Sequence, residues 1–419
     1  MHRTSTLAVA AALAMIPAGV RAQGRAGVPP AAVNSADSAS DPIRQLVSRL
    51  SLERYKATVK GLTQFGDRRQ GTERNRKAVD WIEAQLKSYG CTNTERIKYE
   101  FNPPPPRAGR GGRGGRGAPP PAGTVIGHGP QNGQGGSRIF GVRTEVGVNV
   151  DSMKQKDPAI RAEDMEPAKP GEREEVYCTK VGTTHPDEMY IVGGHMDGHG
   201  WGQAANDDGS GTALVMELAR IFSSPDVQTD RSIRFILWNN EETGLNGARA
   251  YVQQREALQG KEDPAGSGKY PEPKWLGMIQ HDMMMWDHGM PGPDGKVSKE
   301  QRPEADVNIE FAQTAAKADE AMKLAFFFKN ANDKYATDYP AQVGPHMTNT
   351  DSDPFKDIIP AISLRENERG AQIGGGWDPN WHQPSDVFST YSDKDFRLGL
   401  NAAETTLAAI AELTGAKVK

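Results

Sequence analysis

Residues 189–222 read MYIVGGHMDGHGWGQAANDDGSGTALVMELARIF. An apolar run at 189–194 predicts a short strand, a glycine-rich polar loop follows, and residues 212–222 predict a helix carrying Leu214, Val215, Leu218, Ile221 and Phe222. Strand, loop and helix in succession are the unit of an α/β sheet. The polar groups fall at the carboxyl end of the strand, where open α/β sheets bind their ligands. His195 offers an imidazole nitrogen to a metal, and Asp197, two residues on, can accept the other ring N–H and fix the tautomer. Asp207 carries two carboxylate oxygens and can bridge two cations. The plain alternative is that Asp207 or Asp208 caps the helix that follows.

Outward from this stretch the unit recurs. SIRFILW at 232–238 predicts a second strand, ending in Asn239-Asn240-Glu241-Glu242 ahead of a helix around 247–255. Adjacent carboxylates at a strand end repel, so something must offset that cost. One of them can ligate a metal while the other takes a proton from bound water; the alternative is two acids favouring the positive end of a helix. Residues 276–280 and 361–364 predict further strands. Asp282 follows the first of these, with His281, Asp287 and His288 able to substitute for it, and His382 precedes a closing helix at 395–413. Upstream, Ile43, Leu46, Val47, Leu50 and Leu52, then Tyr55, Val59 and Leu62, recur at helical spacing from Asp41. A second helix presents Val79, Ile82 and Leu86 and ends at Gly90, and residues 95–101 predict a strand. Strands alternating with helices argue for a mainly parallel sheet covered on both faces.

The chain has 419 residues, 36% hydrophobic and 25% charged, enough for one large core. After the N-terminus no apolar run reaches the length of a membrane span, which excludes an integral membrane protein. Residues 1–22 combine Arg3, an apolar stretch at 7–16 and small residues at Val20 and Ala22, the layout of an export signal. Cleavage after Ala22 takes the formal charge from -4 to -6, which argues against nucleic acid as a partner. Residues 23–40 read as a flexible lead-in. Of the 46 glycines and 29 prolines, 20 lie in 102–136, a Gly/Pro/Arg-rich insertion that reads as a disordered loop. Its Arg-Gly-Gly units raise single-stranded RNA binding as a rival function, one that deleting 107–117 would test. Cys91 and Cys178 are too few for a disulfide framework; one bridge or two buried thiols remain open.

Three stretches, GGHMDGHGWGQAANDDGSG at 193–211, FILWNNEETGLNGARAY at 235–251 and HQPSDVF at 382–388, together resemble the M28 family of zinc exopeptidases, which includes secreted bacterial aminopeptidases and carboxypeptidase Q-like enzymes. The resemblance covers about residues 43–413 and implies a three-layer αβα fold around a mixed, mostly parallel eight-stranded sheet, the zinc-exopeptidase (phosphorylase/hydrolase-like) fold. It implies one peptidase domain over 41–419. It implies two Zn2+ ions bridged by Asp207, one completed by His195 and Asp282 and the other by Glu242 and His382. Glu241 is then the general base and Asp197 the partner of the His195 ring. A cis peptide between Asp207 and Asp208 is implied as well.

The expected activity is aminopeptidase cleavage of peptides in the periplasm or outside the cell, with no nucleic acid or membrane partner and a monomer as the default. A carboxypeptidase or dipeptidase on the same scaffold is the rival within the class, and WGQAA at 201–205 resembles the carboxypeptidase Q-like members. Arg365 and Arg369 are candidates to bind a substrate carboxylate, against the plainer reading as salt bridges. A peptide-binding relative without metals requires missing ligands, whereas every ligand position here is filled. His199, His281, His288 and His346 read as loop or surface histidines, with His199 close enough in sequence to line the cleft. Met283-Met284-Met285-Trp286 reads as core or pocket wall. Two positions depart from the family. Trp381 stands where many members have a tyrosine beside the last histidine, which puts an oxyanion-donor role in doubt. Ser352 stands in Thr350-Asp351-Ser352-Asp353-Pro354-Phe355 where a Ser-Asp-His-x-Pro-Phe pattern has its histidine, and reads as a helix cap.

Overall fold

The computed structural model describes residues 41–91, 93–102, 152–153, 155–199, 202–289, 296, 298–347, 349–366 and 378–419. The expected export signal, the lead-in and residues 103–136 of the insertion lie outside them. The elements are α1 (Pro42–Val47), α2 (Leu52–Thr63), α3 (Glu73–Ser88), β1 (Thr94–Phe101), α4 (Pro158–Asp164), β2 (Gly171–Lys180), β3 (His185–His195), α5 (Gly209–Phe222), β4 (Val227–Gln228), β5 (Arg231–Trp238), α6 (Asn246–Arg255), β6 (Lys274–His281), β7 (Val307–Phe311), α7 (Ala318–Tyr335), β8 (Ala341–Gly344), β9 (Ala361–Arg365), α8 (Asp393–Thr414) and β10 (Lys417–Val418).

Eight strands form one mixed sheet in the order β1-β2-β5-β3-β6-β9-β7-β8. Its centre, β5-β3-β6-β9, is parallel throughout, so four strands end at the same edge. β2 and β1 add antiparallel on one side; on the other β7 runs antiparallel to β9 and β8 parallel to β7. The buried strands alternate faces with period two. Ile233, Phe235 and Leu237 of β5 and Val192 of β3 join the larger core cluster under α2, α3, α5 and α8, while Ile236, Trp238 and Ile191 face a smaller cluster with Tyr251 of α6. The fold is therefore the three-layer αβα arrangement that the family resemblance implies.

Caps set the helix ends. Asp41, Ser51 and Thr72 accept backbone N–H bonds at the starts of α1, α2 and α3. Ser392 and Asp395 form a capping box that starts α8 two residues before the apolar pattern does, and Gly415, at φ 62°, ends it. Cys91 and Cys178 are joined by a disulfide, Cα–Cα 6.0 Å, where the chain enters β1 opposite β2. No helix among the described residues is long and apolar enough to cross a membrane.

Candidate active site

The four parallel strands deliver their side chains to one edge. His195 is the last residue of β3, Glu241 and Glu242 lie just past β5, Asp282 follows β6 and Arg365 ends β9. The Asp207-Asp208 pair, joined by a cis peptide, precedes α5. The pair divides the two roles left open by the sequence. Asp208 caps α5, accepting from the Gly211 N–H at 2.8 Å, and also accepts from the N–H groups of His195 at 3.0 Å and Met283 at 3.2 Å. Asp207 is left to face the histidines. Close approach of α5 to β3 depends on glycine: a Cβ on Gly194 would stand 2.8 Å from the Gly211 carbonyl carbon.

Asp207 lies between the two rings, with Oδ1 3.3 Å from Nε2 of His195 and Oδ2 3.0 Å from Nε2 of His382. Nε2 of His195 also faces Asp282 Oδ1 at 3.7 Å, and Nε2 of His382 faces Glu242 Oε2 at 2.9 Å. The His195 ring donates Nδ1–H to the backbone carbonyl of Asp197 at 3.0 Å, which turns its Nε2 toward two carboxylates. A ring nitrogen facing two anions is stabilised by a proton or a metal cation between them. The donor set of imidazole and carboxylate, without thiolate, suits zinc, and Glu242 Oε1 and His382 Nδ1 are buried with no hydrogen-bond partner among the described residues. The residues present fit a pair of such ions.

The electrostatics have the same sign. Burial opposes protonation of His195, but Glu241, Asp207 and Asp282 outweigh it and hold the ring well above the ordinary histidine range. The same contest, decided by Glu242 and Asp207, raises His382 to about 9. Burial raises Asp207, but bonds to both rings bring it well below the usual carboxylate range. Burial alone already raises Glu241, and the charges of Glu242, Asp351 and Asp282 push it further against the pull of His195. Left-handed backbone at Asn240 (φ 65°), Met283 (φ 60°) and His382 (φ 53°) sits at or beside site residues, a conformation that costs roughly 1–3 kcal/mol at a non-glycine residue.

The profile of Peptidase family M28 matches residues 175–398. The chain belongs to peptidase family M28. It is 44% identical over 68 residues to aminopeptidase YwaD of Bacillus subtilis, a stretch covering 16% of this chain and 14% of that protein. It is 36% identical over 73 residues to carboxypeptidase Q of Xenopus laevis, 17% of this chain and 16% of that one. The matched stretch thus spans about a sixth of each curated relative. Among solved structures, BSAP, a zinc aminopeptidase from Bacillus subtilis, superposes with a TM-score of 0.54 at 15% identity, over 87% of this chain and 95% of that one.

Several details of this M28 chain correct or sharpen the sequence reading. The Asp197 carboxylate is not the acceptor of the His195 ring: its Oδ1 stands 3.9 Å from Nδ1 and instead accepts from the Glu241 N–H at 3.0 Å. His281 and His288 are buried rather than on the surface. His281 donates Nδ1–H to the Gly193 carbonyl at 3.0 Å and its Nε2 accepts from the Thr406 hydroxyl at 2.8 Å; His288 bonds Asp395 at 2.8 Å. Ser352 makes no capping bond; its hydroxyl pairs with that of Ser363 at 2.6 Å. Met283, Met284, Met285 and Trp286 are buried, and their backbone N–H groups bond Asp208, Ser210, Asn206 and Glu366. Arg365 is 2% exposed and pairs with Asp282 Oδ2 at 2.8 Å. Trp381 stacks on His382 with centroids 4.2 Å apart. Arg369, Trp201 and Gly200 lie outside the described residues.

One side chain at the site, Asp351, escaped the sequence reading, and His199, expected only as a cleft-lining residue, packs directly on a site histidine. Asp351 is fully buried, and its charge raises the proton affinity of Glu241. His199 packs edge-on against His382 with ring centroids 4.0 Å apart.

Proposed function

We propose that this chain is an exported dizinc metallo-exopeptidase that cleaves residues from the N-terminus of peptides. The observation that carries the reading is Asp207, each of whose oxygens faces the Nε2 of a different histidine. M28 membership supports metallopeptidase chemistry, and the zinc named for the neighbouring aminopeptidase supports the choice of ion. His195 and Asp282 would hold one ion, Glu242 and His382 the other, and Asp207 both. Zinc held by these residues would supply Lewis acidity, polarising the scissile carbonyl and acidifying a water.

The chain's own residues supply the rest. Glu241 takes the water's proton and returns it to the leaving amine, and burial supplies the proton affinity this needs. The Asp197 carboxylate, on the Glu241 N–H, positions that base. Cleavage from the N-terminus is supported by the setting of Arg365, which is 2% exposed and paired with Asp282, whereas a free α-amine suits a carboxylate-rich site. The Cys91–Cys178 bridge supports an oxidising compartment, and hence export. Residues 41–419 would form one peptidase domain, with 102–136 as an insertion, acting on peptides and not on nucleic acid.

The test is metal content with a substrate panel. Two zinc equivalents per chain and cleavage of free-amine, C-amidated dipeptides are expected; Glu241→Gln should keep the zinc and lower kcat by about 10²–10⁴-fold. Cleavage of N-blocked dipeptides would sink the aminopeptidase reading.

A further inference from the structure

We propose that His199 is an additional protein ligand to the ion held by Glu242 and His382, so that the two metal positions of this chain are unequal. The proposal rests on the two-ion reading above and goes beyond its ligand set.

Ligand atoms of His199, Glu242 and His382 all lie within 4.8 Å of one another. Two donors about 2.0–2.1 Å from one zinc at a tetrahedral angle stand about 3.3 Å apart, so closure on an ion needs shifts of about an ångström or so. The His199 ring meets that of His382 at 71°, an edge-on contact that lets nitrogens of both converge on one point, which flat stacking would not.

The loop is built to present this side chain. A Cβ on Gly198 would fall 2.5 Å from both the Asp67 carbonyl oxygen and the Ala204 Cβ, so glycine lets the backbone double back just before His199. Arg68, fully buried, then clamps both ends of the loop: Nε donates to the Met196 carbonyl at 2.7 Å, Nη1 to Gln203 at 2.9 Å and Nη2 to Ala204 at 2.7 Å. A histidine on a loop held at both ends keeps its ring where it is aimed.

The consequence is an asymmetric pair. With Asp207, Glu242, His382 and His199, one ion has four protein donors, the closed set of a retained metal. The other, with Asp207, His195 and Asp282, has three and an open position. One ion is therefore slow to leave and the other exchangeable.

The measurement is 113Cd–15N coupling in the histidine-labelled full-length protein loaded with cadmium, alongside zinc competition with a chelator. Two histidines coupled to one cadmium and one to the other is the expected pattern. His199→Ala should remove one coupling and weaken the tighter zinc more than about 100-fold, beyond the 10–100-fold range for loss of an outer partner of a ligand. One histidine per cadmium in the wild-type protein overturns the proposal, whether or not the variant folds. Uptake of a single cadmium overturns the two-ion reading instead, and coupling of that ion to His199, present or absent, still decides the role of this residue.

Discussion

Arg365 Nη2 lies 2.8 Å from Oδ2 of Asp282, the oxygen opposite the one that faces His195. Both side chains are buried, and Glu310 Oε2 lies 3.5 Å from Nε of the same guanidinium. Burial raises the Asp282 carboxyl, and the Arg365 charge together with the His195 ring more than offsets it, keeping the group ionised and below the ordinary carboxylate range. The arginine therefore both orients a proposed ligand and helps keep it anionic. Arg365→Met should weaken zinc binding about 10–100-fold and, by stranding Asp282 and Glu310 without their cation, lower stability by about 3–5 kcal/mol. Chelator competition and urea unfolding measure the two effects; unchanged zinc affinity would refute the orienting role.

Asp197 makes a different prediction from the one its spacing suggests. Its backbone carbonyl, not its carboxylate, receives the His195 ring N–H, while the carboxylate holds the Glu241 N–H. Asp197→Ala should therefore leave zinc affinity within a few-fold and lower kcat by about 10–100-fold through the displaced base. Asp197→Asn, which keeps an acceptor oxygen, should recover much of that loss. A variant that loses zinc before it loses kcat would return the carboxylate to the His195 ring.

The contrast between these residues shows how much of the site is legible in the sequence. Residues fixed by a strand end, such as His195, Asp282 and the Glu241-Glu242 pair, are readable because a continuous apolar run, buried on both faces, sets where the strand stops and the ligand edge begins. The division of labour between Asp207 and Asp208 is not, since both are carboxylates at a helix mouth and only the loop's path turns one of them onto Gly211. Asp351 and His199 sit on irregular backbone with no periodicity to place them, and they reach the site through tertiary packing. β2 escapes for another reason: EREEVYCTK is half charged, and its place inside the sheet depends on partners such as Arg96 for Glu174, from a strand many residues earlier.

The disulfide closes a sequence separation of 87 residues that contains the whole Gly/Pro/Arg-rich window. Cross-linking a loop of that length restricts the unfolded chain, an effect of about 4.6 kcal/mol in the chain-entropy account. Cys91→Ser with Cys178→Ser should lower stability by roughly 2–4 kcal/mol while leaving zinc content and kcat unchanged, because neither cysteine touches the site. Equal denaturant midpoints for the oxidised and the double-variant proteins would contradict this.

His281 sets a pH dependence whose sign follows from its surroundings. Burial lowers its pKa to about 4, against an ordinary value near 6.5, and the bond to the Gly193 carbonyl only partly offsets it. Between these values the unfolded chain carries a proton on this ring and the folded chain does not, so stability rises with pH across that window. The contribution is fully present above about pH 6.5 and is lost as pH falls toward 4, about 3 kcal/mol in all. His281→Gln cannot take up the proton, so its stability should fall less steeply on acidification, by up to about 1.4 kcal/mol per pH unit between pH 6.5 and 4. Urea unfolding of both proteins at a series of pH values checks this, and parallel stability curves would mean that the folded chain protonates His281 as readily as the unfolded one.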